Sequence, residues 1–244
     1  MTAVGAYGRA FRQIGQPAFR RALLVSLGVA LVVMLGLVWL GIAGAGSVAA
    51  DQTEQGWVQA LAQGLGGVLS LLGAWLAFPV LVTALMGLFM DDVVAAVEQA
   101  DYPGDVPGQP VALWPGLVVG LRFAGLALGL NLLALPLYLV AAPLAPFGFY
   151  ALNGYLLGRE YFGQIGLRHG PPAQMQRALA AGRGKVFLTG LVGAFLLTVP
   201  LLNLIAPLLV AAAMVHIWKE IARVQGPENG RAHMAHGQTV KNLL

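Results

Sequence analysis

Two apolar tracts of the wrong length constrain this chain more than any other feature. Phe123 to Gly158 runs for about 36 residues without a charge and Val186 to Trp218 for about 33, whereas a helix rising about 1.5 Å per residue crosses a ~30 Å hydrocarbon core with about 20. One straight span overshoots that thickness, and two full spans with a turn need more than about 40 residues. Both tracts carry the same punctuation, Pro136 and Pro143 in the first, Pro200 and Pro207 at the same spacing in the second. Proline removes a backbone donor and crowds the preceding turn, so each pair marks a place where a helix can break. The pattern predicts two proline-broken, hemi-penetrating helical hairpins, 116–158 and 186–218, that turn inside the bilayer and leave on the side they entered. Each tract also ends on a basic–acidic pair, Arg159-Glu160 and Lys219-Glu220. They therefore read as a repeat, of the kind that recurs in transporters; the alternative is coincidence in a proline-rich chain.

Hydrophobic residues make up 58% of the chain and charged residues 10%, against about 25% charged in a soluble domain. Such a chain cannot clothe itself for water, and the fold class predicted is an all-α integral membrane protein. The net charge of +4 is too small to imply nucleic acid, and the basic residues sit at ends and loops rather than in one patch. There is no cysteine, which excludes disulfides, thiolate metal sites and cysteine nucleophiles.

The organisation follows as one membrane domain, 1–218, and a polar tail, 219–244. Met1 to Gln16, with Arg9 and Arg12 among Tyr7, Phe11 and Ile14, reads as an interfacial helix ending at Pro17. Two long spanning helices are expected over 20–50 and 56–90, the second anchored by Trp57 and kinked at Pro79. The first apolar run is too long for the core of a secretory signal. An acidic surface helix and loop, 91–115, carries Asp91, Asp92, Glu98, Asp101 and Asp105, and a basic segment, 159–185, carries Arg168, Arg177 and Arg183. Four arginines precede the first span and none lies in the Asp51–Glu54 loop, so the positive-inside rule places the N-terminus in the cytoplasm. Two spans bring the chain back, and two hairpins keep every basic segment on that side.

Polar residues inside the apolar tracts are the candidates for a pathway. Asn131, Asn153 and Asn203, with Ser70, Thr83, Thr189 and Thr198, must face other helices or a wet cavity. Bonding between helices is one reading and a pore lining the other. Gly116/Gly120, Gly125/Gly129 and Gly154/Gly158 fit the small-residue spacing of close helix packing. The glycine-rich stretch from Gly41 to Gly46 lacks the lysine and hydroxyl of a phosphate loop. His169, His216, His233 and His236 show no metal spacing. No nucleophile–base pair stands out, so neither an enzyme nor a cofactor is implied. The best candidate site is Pro17-Ala18-Phe19-Arg20-Arg21, where proline favours a helix start and two arginines join the free N–H groups of its first turn. Such a cradle suits an oxyanion, and sulfate, which only accepts hydrogen bonds, fits it better than phosphate. Anchoring of a span to lipid head groups is the alternative.

Several segments together resemble one family. Pro17 to Arg21 is similar to the Pro-Gly-Leu-Arg-Arg element that opens the first long helix of the CysZ-type sulfate permeases, bacterial relatives of the etoposide-induced 2.4 proteins. Met90-Asp91-Asp92-Val93-Val94 through Tyr102-Pro103-Gly104 resembles the acidic helix that follows their second long helix. Leu152-Asn153-Gly154-Tyr155-Leu156-Leu157-Gly158-Arg159-Glu160-Tyr161-Phe162 is the most specific match, and Val199 to Pro207 resembles the closing hairpin. The resemblance implies two long helices with two hemi-penetrating hairpins, assembly into homo-oligomers in the bacterial inner membrane, and sulfate uptake for cysteine synthesis. It implies an anion site on Arg20 and Arg21 with backbone donors around Ala18 and Phe19; in the transport reading Asn153, Arg159 and Glu160 are expected to help shape the hairpin mouth. Ala18 stands where the family has glycine, which matters if that position needs a positive φ or close backbone approach. A non-transporting accessory or envelope protein on the same fold is the competing reading.

Overall fold

The computed structural model describes residues 1–52, 54–111 and 113–224. Among them there is no strand, and eight α-helices follow in order: α1 (Ala3–Gln13), α2 (Pro17–Gln52), α3 (Gly56–Leu88), α4 (Met90–Asp101), α5 (Leu113–Val140), α6 (Ala145–His169), α7 (Pro172–Thr198) and α8 (Leu202–Val224). The chain is an all-α membrane protein with four helices long and apolar enough to cross a bilayer, within α2, α3, α7 and α8. Of the expected kink at Pro79, of Thr83 and of the Gly116/Gly120 pair only the helical backbone is described, and the tail beyond Val224 with His233 and His236 lies outside the described residues.

The helices sort by how much of each is covered. Only 11% of the apolar window of α2 and 6% of that of α3 is buried inside the protein, against 83% for α8. From Ala206 to Trp218 every residue of α8 is buried, and a helix apolar on all faces must be enclosed on all faces. α1, α4, α6 and α7 supply the enclosure, with α2 and α3 touching it more lightly. α2 and α3 are apolar all round with little to pack on but each other, so their outer faces fit lipid. They run antiparallel through small residues, Gly41 against Ser70 and Gly66 against Ala45.

α1 packs one face on protein. Thr2 caps it, accepting from the Gly5 N–H at 3.2 Å. Ala3, Ala6, Tyr7 and Ala10 form its buried stripe at helical spacing, and the Tyr7 hydroxyl donates to Thr189 O of α7 at 2.9 Å. The interfacial helix expected over 1–16 is thus a helix whose apolar side seals the α7–α8 pair.

α6 and α7 meet backbone to backbone. A Cβ on Gly190 would lie 2.0 Å from Gly154 O and 2.5 Å from Gly158 N, and one on Gly158 would lie 2.6 Å from Val186 O. The Gly154/Gly158 spacing therefore does mark close packing, whereas Gly125 and Gly129 have nothing within 4 Å of a Cβ. The basic segment 159–185 is two helix ends joined at Gly170 and Pro171, not a long loop. Likewise Lys219 to Val224, assigned to the tail, completes α8, and Lys219 is buried.

Each apolar tract is broken by a short turn into two helices, but not at the same proline. The first turns at Ala141–Leu144, around Pro143, with Pro136 inside α5. The second turns at Val199–Leu201, around Pro200, with Pro207 inside α8. Aligned on their prolines, the two turns fall in different registers, so the repeat does not carry over to the structure. Each internal proline lies within about two turns of its tip, where one lost backbone bond costs least. Leu201 at the second tip has φ 68, the one non-glycine with positive φ among the described residues.

The α6–α7 contact yields a sharp expectation. Gly190→Ala forces two backbones apart and should cost about 1–3 kcal/mol, read as a melting temperature several degrees lower in detergent. Gly125→Ala, with open space around it, should leave that temperature unchanged or raise it, since alanine is the better helix former. Equal melting of the two variants would contradict the close approach.

Candidate functional site

Pro17 opens α2 where a missing N–H is harmless. The Arg20 N–H bonds back to Gln16 O at 3.1 Å, while the amides of Ala18 and Phe19 have no backbone acceptor among the described residues. Phe19 and Ala22 are buried and point into the core, which turns Arg20 and Arg21 outward. Neither arginine makes an ion pair among the described residues. Ala18 has no positive φ, so this helix start forms without the family's glycine. Two free amides and two unpaired guanidinium groups thus share one exposed helix start.

The pathway candidates divide. Asn131 donates to Ala127 O and Asn153 to Phe149 O, each at 2.8 Å within its own helix. Asn203 makes no side-chain hydrogen bond among the described residues. The asparagines therefore do not stitch helices together, and part of each amide remains unsatisfied. Arg159 and Glu160 point different ways: Arg159 is exposed and donates to the Tyr155 hydroxyl at 2.9 Å, while Glu160 turns into a cavity. One contact does link the tips, the Tyr150 hydroxyl on Thr198 Oγ1 at 3.0 Å.

That cavity, about 420 Å³, lies between the α3–α4 corner, α5 and α6, and its polar wall is Asp91, Glu160, Gln164 and Arg168. Gln164 donates to Glu160 at 3.3 Å, and burial pushes the Glu160 carboxyl above the ordinary carboxylate range.

Sequence reasoning missed the network beside it. The acidic helix α4 does not float at a surface: Val93, Val94, Val97 and Glu98 are buried, and its carboxylates meet the basic ends of α6 and α8. Asp91 pairs with Arg168. Glu98 lies 2.7 Å from His169 Nε2 and 3.8 Å from Lys219, and Asp105 lies 3.5 Å from Lys219 and 3.9 Å from Arg223. The Gly108 N–H donates to Glu98 at 3.0 Å and the Gln109 N–H to Arg168 O at 2.9 Å, tying down the connector after α4. His169 Nδ1 faces Ile165 O at 2.9 Å. In α8 the buried His216 contacts the Tyr102 hydroxyl at 2.8 Å. The signal was present in the seven-residue spacing of Asp91 and Glu98, which sets both on one side of α4, with Asp105 in the connector that follows.

These features define a multi-pass helical membrane protein with an exposed arginine pair at the start of its first long helix. The family described as Sulfate transporter CysZ/Etoposide-induced protein 2.4 matches residues 6–207, and the chain belongs to it. No curated protein matches the chain at a significant level.

Burial alone would raise the Glu98 carboxyl, but hydrogen bonds from His169 and Gly108, with the His169 and Lys219 charges, hold it below its ordinary 4.5. A depressed folded-state pKa gives stability that is present above the ordinary value and is lost as pH falls through the folded one. Glu98→Gln should therefore destabilise the protein by about 1–3 kcal/mol at neutral pH. Thermal melts of both proteins should converge as pH drops below 4.5; a gap independent of pH would contradict the assignment.

Proposed function

We propose that the protein carries sulfate, or a tetrahedral oxyanion closely like it, across the bacterial inner membrane to supply sulfur assimilation and cysteine synthesis. The observation that carries the reading is the start of α2, where among the described residues Arg20 and Arg21 are exposed without counter-ions and the Ala18 and Phe19 amides lack backbone acceptors. Hydrogen bonds from charged groups of this kind are worth about 1.5–3 kcal/mol each, and a sulfate dianion can accept all of them. Membership of the transporter family supports the same substrate. In this reading the N-terminus is cytoplasmic, the two hairpins are hemi-penetrating, and passage is passive or gradient-coupled through a homo-oligomer. Unsatisfied amide groups on Asn131, Asn153 and Asn203 support a wet or protein-covered face on the hairpins, since lipid cannot satisfy them. The accessory-protein reading would gain from asparagines paired within one packed core, and they are not so paired.

Radiolabelled sulfate flux into proteoliposomes tests the proposal. The wild type should exceed empty vesicles, and Arg20→Ala/Arg21→Ala should lose tenfold or more, as the removal of at least one such bond implies. Equal flux in the two proteins, or none above empty vesicles in the wild type, would sink it.

A further inference from the structure

We propose that Arg168 is a second oxyanion site, on the wall of the α4–α6 cavity, and that the Asp91 carboxylate occupies it until a transported anion takes its place. The inference rests on the oxyanion-transport reading above and deepens it.

The two members of the Asp91–Arg168 pair are unequal. The Arg168 side chain is 4% exposed and that of Asp91 59%. A buried guanidinium needs an anion beside it at all times, because a lone buried charge is costly. Asp91 carries no such obligation, for it can turn into water with little loss. The pair is therefore built for exchange: the arginine stays and its counter-ion can be replaced. A carboxylate and a sulfate offer a guanidinium the same thing, two oxygens at the spacing of its fork.

The donors around that position are not used up. Arg168 also donates to Gly108 O at 3.4 Å, and its Nε–H is buried without an acceptor. α4 begins at the same place, on Phe89, with no side-chain cap. The Val93 N–H is the first amide to bond back, to Phe89 O at 3.1 Å, which leaves the Asp91 and Asp92 amides without backbone acceptors and the positive end of the helix dipole at hand. The adjoining cavity, about 420 Å³, has room for a sulfate and several waters at about 30 Å³ each. Two groups of the wall oppose a dianion there: Asp91, which is mostly exposed and turns into water when displaced, and Glu160, which Gln164 contacts and whose burial favours the neutral form.

Arg20 and Arg21 would then receive the anion at an exposed helix start, and Arg168 would hold it at a covered one. Nothing else in the cavity wall offers a positive charge among the described residues.

Equilibrium dialysis of the purified full chain against radiolabelled sulfate in detergent tests this, because it counts sites as well as ranking them. Asp91→Asn frees the guanidinium without removing side-chain volume and should bind a second sulfate per chain, at least tenfold more tightly than any second site in the wild type. Arg168→Gln in the Asp91→Asn background should abolish that second site. Asp92→Asn, the same charge change one residue along, should leave binding as in the wild type. Because a gain of binding cannot come from misfolding, Asp91→Asn remains decisive even if Arg168→Gln does not fold. One wild-type site that is lost in Arg20→Ala/Arg21→Ala, with no second site in Asp91→Asn, overturns this proposal and leaves the transport reading standing. An equal gain in Asp92→Asn overturns it too, by tracing the effect to net charge. No sulfate bound by the wild type or by Asp91→Asn overturns both.

Discussion

Between Ala206 and Trp218, α8 shows no face to the outside, and most of the architecture follows from the need to wall it in. Within a membrane, packing between helices draws little from the hydrophobic effect, because lipid is as apolar as the side chains. Close fit has to replace it. The fit comes from glycine: α6 and α7 approach until their backbones touch at Gly154, Gly158 and Gly190, and Gly182 and Gly193 of α7 receive Ile221 and Val210 of α8. α1 then closes the remaining side with a stripe of alanines and Tyr7. By contrast α2 and α3, packed chiefly on each other, are free to be long and to face lipid.

Enclosing α8 has an electrostatic consequence. Its last turns bring Lys219 and His216 into covered positions, where unpaired charge or polarity is costly. Packing α4 over that end meets the need, since Glu98 and Asp105 approach Lys219 and Asp101 approaches His216 at 3.7 Å. The acidic segment is therefore the counter-charge of the bundle. Its connector is tied to the end of α6 through Gly108 O, which accepts from Arg168, and the Gln109 N–H, which donates to Arg168 O, beside the wall of the cavity at Arg168.

How much of this was legible in the sequence depends on whether the signal was local. The long helices α2 and α3, the break of each apolar tract into two helices, the Gly154/Gly158 contact and the outward-facing arginines at 20 and 21 follow from length, punctuation and spacing along the chain. The choice of turning proline does not. Pro143 marks the first turn because Pro146 suits the first turn of the helix that follows, and Pro200 marks the second because α8 must run unbroken from there into its enclosure. The charge network is a matter of which helix ends come together, so residues far apart, such as Glu98 with Lys219, carried no local mark beyond the acidic spacing. For the asparagines, a polar side chain at membrane depth indicates a need for a partner but not its location, and Asn131 and Asn153 find one a helical turn back.

The contrast among the arginines bears on how a membrane protein can hold an anion and still release it. An exposed, unpaired pair such as Arg20 and Arg21 attracts anions at long range, but water and salt screen it, and what it holds it holds weakly. A covered guanidinium such as Arg168 is barely screened and would hold a lone anion too firmly for passage. In the proposed exchange a tethered competitor would solve that difficulty: Asp91 would replace the departing anion as it leaves, so that the arginine would not be left bare. Tight contact and ready release are then compatible, because the energy difference is set by two anions competing for one cation rather than by one anion leaving it. In the proposed transport reading, two arginines at a surface and one paired with an exposed carboxylate would be successive parts of one route rather than duplicates of one site.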